Sequence, residues 1–209
     1  DVTQPSVGSL GLAAERARFV VTKPLVESHR ARELLETLPG ARIVWLFRHP
    51  LDVARSNLRL FGPRNGIDDL RPLVTDQPDN WRSEGQPEHV RQTVREHFAE
   101  DMDELSAAAL FWWTRNSLFF HQDLAREPRA AVIRYDDLVT APAAVMQATY
   151  RWLDLPYPGD RITGDGFAGA GGRGRERTLA PGIAALCEQM YARLEALPRL
   201  GPDGGEPAA

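Results

Sequence analysis

The sequence predicts an α/β fold, a parallel sheet flanked by helices, and three observations carry that expectation. Ile43-Val-Trp-Leu-Phe47 is an unbroken apolar run of β-formers, too short for an amphipathic helix and suited to a parallel strand buried on both faces. Ala130-Ala-Val-Ile-Arg-Tyr135 is a second such run, and Phe19-Val-Val21 a shorter one. The stretches between them have helical spacing, and strands alternating with helices imply crossover connections and parallel pairing.

Taken in order, residues 1–17 show no periodicity and read as a loop. Phe19 to Val21 reads as a strand ending at Thr22-Lys23-Pro24. Ser28 is placed to cap a helix running to about Leu38, with Ala31, Leu34, Leu35 and Leu38 on one face and Pro39-Gly40 as its stop. With the strand at 43–47 this makes a βαβ unit, so Lys23 and Arg48 are expected at the same edge of the sheet. Pro50 suits the first turn of a helix, because its missing N–H has no intrahelical partner there.

Phe61 to Glu88 is dense in Gly, Pro, Asp and Arg and reads as an irregular excursion. Val90 to Ala125 reads as two helices broken near Ala99 to Asp103. In the second, Leu105, Ala109, Trp112, Trp113, Asn116 and Phe120 form a stripe expected in the core. His89 and His97 are expected at the surface. After the 130–135 strand, Pro142 opens a helix to about Leu153. Gly159 to Gly174 contains seven glycines. Pro181 opens a last helix to Leu197, whose inner face includes Cys187, expected as a buried thiol. Residues 201–209 are expected to be disordered.

The 209 residues fit a single domain, 1–209, with a core of its own. A net charge of −4 argues against a general nucleic-acid binder. No apolar run approaches the roughly 18 residues that span a bilayer, and the lone Cys187 fits a reducing, cytoplasmic setting. Among 25 basic residues only Lys23 is a lysine, and a compact ammonium does chemistry that a guanidinium does not. No Cys/His cluster has metal-ligand spacing.

Arg48 follows the strand directly, offering a planar bidentate charge at its carboxyl end, and Ser56 lies about two turns into the following helix. Free N–H groups at a helix start favour an anion there. This strand followed by Arg48, Pro50, Val53 and Ser56 resembles the 3′-phosphate motif of sulfotransferases, Arg-x-Pro-x-x-Val-x-x-Ser. The resemblance, extending over roughly Phe19 to Leu197, implies a P-loop-NTPase-like sulfotransferase fold of bacterial type. Its activity would be transfer of a sulfuryl group from 3′-phosphoadenosine 5′-phosphosulfate (PAPS) to a hydroxyl or amine of a small-molecule or glycan acceptor.

In that reading Arg48 and Ser56 hold the 3′-phosphate. Tyr135, in a Tyr135-Asp136-Asp137-Leu138 segment similar to the family's Tyr-Glu-Asp-Leu, contacts the adenine. Lys23, in Lys-Pro-Leu, lies near the bridging oxygen of the donor, and Arg173-Gly174 matches the late basic-plus-glycine segment that closes on the phosphate. In the cytosolic branch the catalytic histidine stands two residues after the matching lysine. That position is Leu25 here, and in other branches of the family the base is a glutamate just after the 5′-phosphosulfate loop. Glu27 and His29 follow Lys23 in this chain, and His29 is taken as the candidate base. The family's 5′-phosphosulfate loop is expected upstream of Asp1, since Pro5-Ser6-Val7-Gly8-Ser9 lacks the basic residue and the preceding strand. A non-catalytic nucleotide- or partner-binding module of the same fold is the alternative. The acceptor and the oligomeric state are not legible.

Overall fold

A computed structural model describes residues 20–23, 26–77, 79–163 and 178–202. Its sheet has two parallel strands, β1 (Ile43–Phe47) and β2 (Ala130–Arg134), in register from Ile43↔Ala130 to Phe47↔Arg134. The far edge of β2 is met by residues 199–200: Leu200 N–H donates to Val132 O at 2.9 Å, and Arg199 bridges Val132.

The expected strand at Phe19 to Val21 does not form over the part that is described. Val20 to Lys23 have no strand pairing, and Val20 and Val21 are 62% and 79% exposed. Lys23 therefore does not stand at a strand end, and the βαβ unit expected over 19–47 is replaced by a crossover from β1 to β2. Nor is β1 buried on both faces. Ile43, Trp45 and Phe47 pack inward, whereas Val44 and Leu46 are 40% and 51% exposed. The alternation follows from coverage, since helices blanket one face of β1 and nothing described covers the other.

The central element is α5 (Glu104–His121), buried along most of its length. Its start is fixed by Asp103, whose carboxylate accepts from Ser106 N–H at 2.8 Å. Trp45 packs on Phe119 with centroids 5.4 Å apart, and its Nε1 donates to Asn116 Oδ1 at 3.0 Å, so the aromatic stripe is core. Against α5 lie α2 (Pro50–Phe61), α3 (Asn65–Val74) and α4 (Glu88–His97). The break between α4 and α5 falls at 98–103, as the sequence indicates.

Helix α3 corrects the expectation that Phe61 to Glu88 is irregular throughout. Ile67, Leu70 and Leu73 recur at three-residue intervals and are buried, a signal obscured by the surrounding Gly, Pro and Asp. Gly66 lets α3 approach α5 closely: a Cβ there would lie 2.5 Å from Ala108 N. Alanine has the better helix propensity by about 1 kcal/mol, but overpacking against backbone costs about 1–3 kcal/mol. Gly66→Ala is therefore expected to lower the urea midpoint; a raised midpoint would contradict this close packing.

Before β1, Ser28–Arg30 form a 3-10 turn leading into α1 (Ala31–Thr37). Ser28 does not cap this helix, because its hydroxyl accepts from Arg115 instead. On the outer face of β2, Ala131, Ile133 and Leu200 form a second small core with Val145 of α7 (Pro142–Trp152). Helix α8 (Pro181–Glu195) packs on α5. Within it Cys187 is buried, its thiol pointing to Ala109 O at 3.4 Å, and burial pushes that thiol up to about 12. It should resist a disulfide reagent at pH 8 in the native protein and react in urea; rapid native-state labelling would contradict the packing. Because the folded thiol holds its proton more tightly, its contribution to stability is lost as pH rises from about 9.0 toward about 12.

Among the described residues no helix is long and apolar enough to cross a membrane.

Candidate functional site

The parallel register places the carboxyl ends of β1 and β2 side by side, so the residues after Phe47 and Arg134, namely Arg48 and Tyr135, become neighbours. Tyr135 opens a short helix, α6 (Tyr135–Thr140), rather than ending the strand. The Arg48 guanidinium sits over its ring, 4.7 Å from the centroid, a cation–π contact that holds both groups at this edge. Arg48 Nε is buried and has no acceptor among the described residues.

Pro50 stands at the first position of α2, as the sequence indicates, and the N–H groups of Asp52 and Val53 turn back to His49 O, each at 3.1 Å. Asp52, which sequence reasoning missed, faces Arg48 with Nη2 to Oδ2 at 3.5 Å. The signal was available, since an Arg and an Asp four residues apart at a helix start are neighbours. Ser56 is a further four residues along, half-buried on the same stripe as Asp52. Asp52 and Ser56 thus share one stripe on the α2 surface with Arg48 just ahead of the helix, and an acid stands where an incoming anion would compete.

Tyr191 of α8 is a second residue that the sequence did not single out. It packs edge-on against Phe47 at 5.8 Å and against His49 at 5.1 Å. Burial first, with Glu195 and Asp136 adding, pushes its hydroxyl up to about 12, so it stays a neutral phenol. Beneath Tyr135, Asp137 is buried and accepts from Arg134 Nε at 2.9 Å and from Arg199 Nε at 3.1 Å. Asp137 fastens the edge; with two arginine partners it is no half of an acid/base pair.

The other candidates lie elsewhere. Lys23 is exposed and lines a cavity beside β1 with Val44, Leu46 and Arg115. His29 has a buried ring whose Nε2 is 3.2 Å from Glu84 Oε2, outside hydrogen-bond geometry, and its Cβ lies where a side chain on Gly85 would go. Gly85 thus passes close to His29 with no room for a side chain, and the buried His29 ring has a packing role. Arg173 and Gly174 lie outside the described residues. The structure therefore brings Arg48, Tyr135 and the start of α2 together, and leaves Lys23 and His29 in other surroundings.

At the shared edge the arrangement offers one guanidinium with an unpartnered N–H, a planar ring and a hydroxyl one turn past Asp52, a set able to hold an anion next to an aromatic group. No family model, curated protein or solved structure matches this chain.

Proposed function

We propose that this chain is a sulfotransferase that uses PAPS to sulfate a hydroxyl or amine of a small-molecule or glycan acceptor. The observation that carries the reading is Arg48 over Tyr135 at the carboxyl edge of the parallel pair. One strand brings an anion-binding fork and the other a ring on which a base can stack, the two needs of a 3′-phosphorylated adenosine. The unpartnered Arg48 Nε fits a phosphate oxygen, with Ser56 as a second donor and Arg173-Gly174 as the closing segment.

In the reaction the acceptor oxygen or nitrogen forms a bond to sulfur while the bond from sulfur to the bridging oxygen breaks. That electron pair leaves on the 5′-phosphate, where Lys23 would offset the developing charge. The acceptor's proton needs a base, and His29, the candidate from the sequence, reaches it only by leaving its buried place beside Gly85. A second reading, a nucleotide-binding module without turnover, is favoured by one observation: Lys23 and His29 are not gathered with Arg48. Incubation with PAPS and a panel of phenols, alcohols, amines and glycans separates the two. Release of adenosine 3′,5′-bisphosphate that depends on an acceptor supports the enzyme; binding of that nucleotide without any transfer supports the module.

A further inference from the structure

The edge of β1 that is unpaired among the described residues, and its outer face, hold a feature that the donor site does not use. Val44 and Leu46 are exposed there, whereas their partners across the register, Ala131 and Ile133, are buried beneath α7. A cavity of about 400 Å³ opens beside them, with Leu34 completing an apolar wall. Its size falls in the range of small-molecule sites, roughly 300–1,000 Å³.

The charged lining is unbalanced. Lys23, Arg42 and Arg115 contribute cations, against Glu27 as the lining acid. Arg42 is turned onto the Trp152 ring, 5.3 Å from its centroid. Arg115 is the unusual one. It projects from α5 and donates to Trp81 O at 2.9 Å, to Val26 O at 3.0 Å and to the Ser28 hydroxyl, all of them neutral acceptors. The acid whose charge acts on it is Asp69, which is committed to Arg82 at 2.5 Å. No carboxylate is in ion-pairing range of Arg115 among the described residues, and burial lowers its affinity for its own proton, to about 10. A desolvated guanidinium is costly unless a counterion meets it.

We propose that the cavity beside β1 binds a small carboxylate with an apolar body, its carboxylate on Arg115 and its body along Leu34, Val44 and Leu46. Three of the five Arg115 N–H groups are taken by Trp81, Val26 and Ser28, which leaves Nε and one Nη1 N–H for a carboxylate oxygen, and the apolar wall selects a hydrocarbon tail or ring over a sugar. Lys23 at the mouth adds attraction for the same charge. Only Lys23 is common to this cavity and to the function proposed above, and the inference needs neither PAPS binding nor turnover.

The test uses the full chain labelled with ¹⁵N and two probes of matched shape, octanoate and 1-octanol. The reporter is the Trp45 indole N–H, which bonds Asn116 at the cavity lining and is identified by its loss in Trp45→Phe. Octanoate is expected to shift it saturably and to bind about tenfold or more tighter than octanol, since hydrogen bonds to a charged group carry about that factor. Arg115→Met should weaken octanoate about ten- to hundredfold. Because Arg115 also ties Val26, Ser28 and Trp81 together, the exposed Val44→Asp serves as the second variant, expected to abolish octanoate binding with the circular dichroism unchanged. Equal shifts by octanoate and octanol would overturn the proposal and mark an apolar face suited to an added strand. No Trp45 response at millimolar octanoate, or full affinity in Val44→Asp, would overturn it as well.

Discussion

Arg48→Ala is expected to weaken binding of adenosine 3′,5′-bisphosphate about 10- to 100-fold, the equivalent of about 1.5–3 kcal/mol for hydrogen bonds to a charged group. The effect has two sources in the geometry. The guanidinium is the cation at the carboxyl edge with an unpartnered N–H, and it also holds the Tyr135 ring in place at 4.7 Å. Removing it would delete the proposed phosphate contact and free the ring that would meet the base. Asp52→Ala should act in the opposite sense, because Asp52 stands 3.5 Å from Arg48 and competes with an incoming anion. Isothermal titration of both variants checks the pair of signs. Unchanged affinity in Arg48→Ala, or weaker binding in Asp52→Ala, would mean that these residues only brace the start of α2.

Asp137→Ala should cost about 3 kcal/mol of stability. Breaking a buried ion pair by removing one partner costs about 3–5 kcal/mol, and the low end applies because Arg134 and Arg199 retain 28% and 21% exposure. Asp137 joins the end of β2 to Arg199 and, through Arg134, to the end of α8. Arg134 ends β2, Arg199 bridges the outer edge of β2, and Arg134 Nη1 also reaches Glu195 at the end of α8, at 3.1 Å. Without the carboxylate, two guanidinium groups face one another, and the segment 199–200 keeps only its backbone bonds to Val132 and the Arg199 contact with Glu195 O. A loss of this size is a large fraction of a domain's usual 5–15 kcal/mol. It appears as a lower urea midpoint, and a midpoint equal to that of the unaltered protein would show that the backbone bridge alone fixes this edge.

The two strands and the helices at Pro50, Pro142 and Pro181 were legible because each has a local cause, an apolar run of β-formers or a proline at a helix start. Their boundaries agree with the structure to within a few residues. The helix at Asn65–Val74 was hidden because Gly66 and Pro72 read as breakers, whereas Gly66 serves close packing against Ala108. Phe19 to Val21 misled for the reverse reason: β-branched residues favour a strand, but a strand needs a partner, and Val20 and Val21 lack one. At the site, Arg48 beside Tyr135 follows from parallel pairing once both strands are known. Tyr191 and Arg115 were not legible, since their roles depend on which helix faces which strand, and that is settled by packing across long separations in the chain.

The measurement that bears most directly on the central claim is a calorimetric titration of the protein with adenosine 3′,5′-bisphosphate and, separately, with ADP. Clear preference for the 3′-phosphorylated nucleotide is the predicted result, and it would place the phosphate with Arg48 and Ser56. Equal binding of the two nucleotides, or binding of neither, would contradict a PAPS site at this edge.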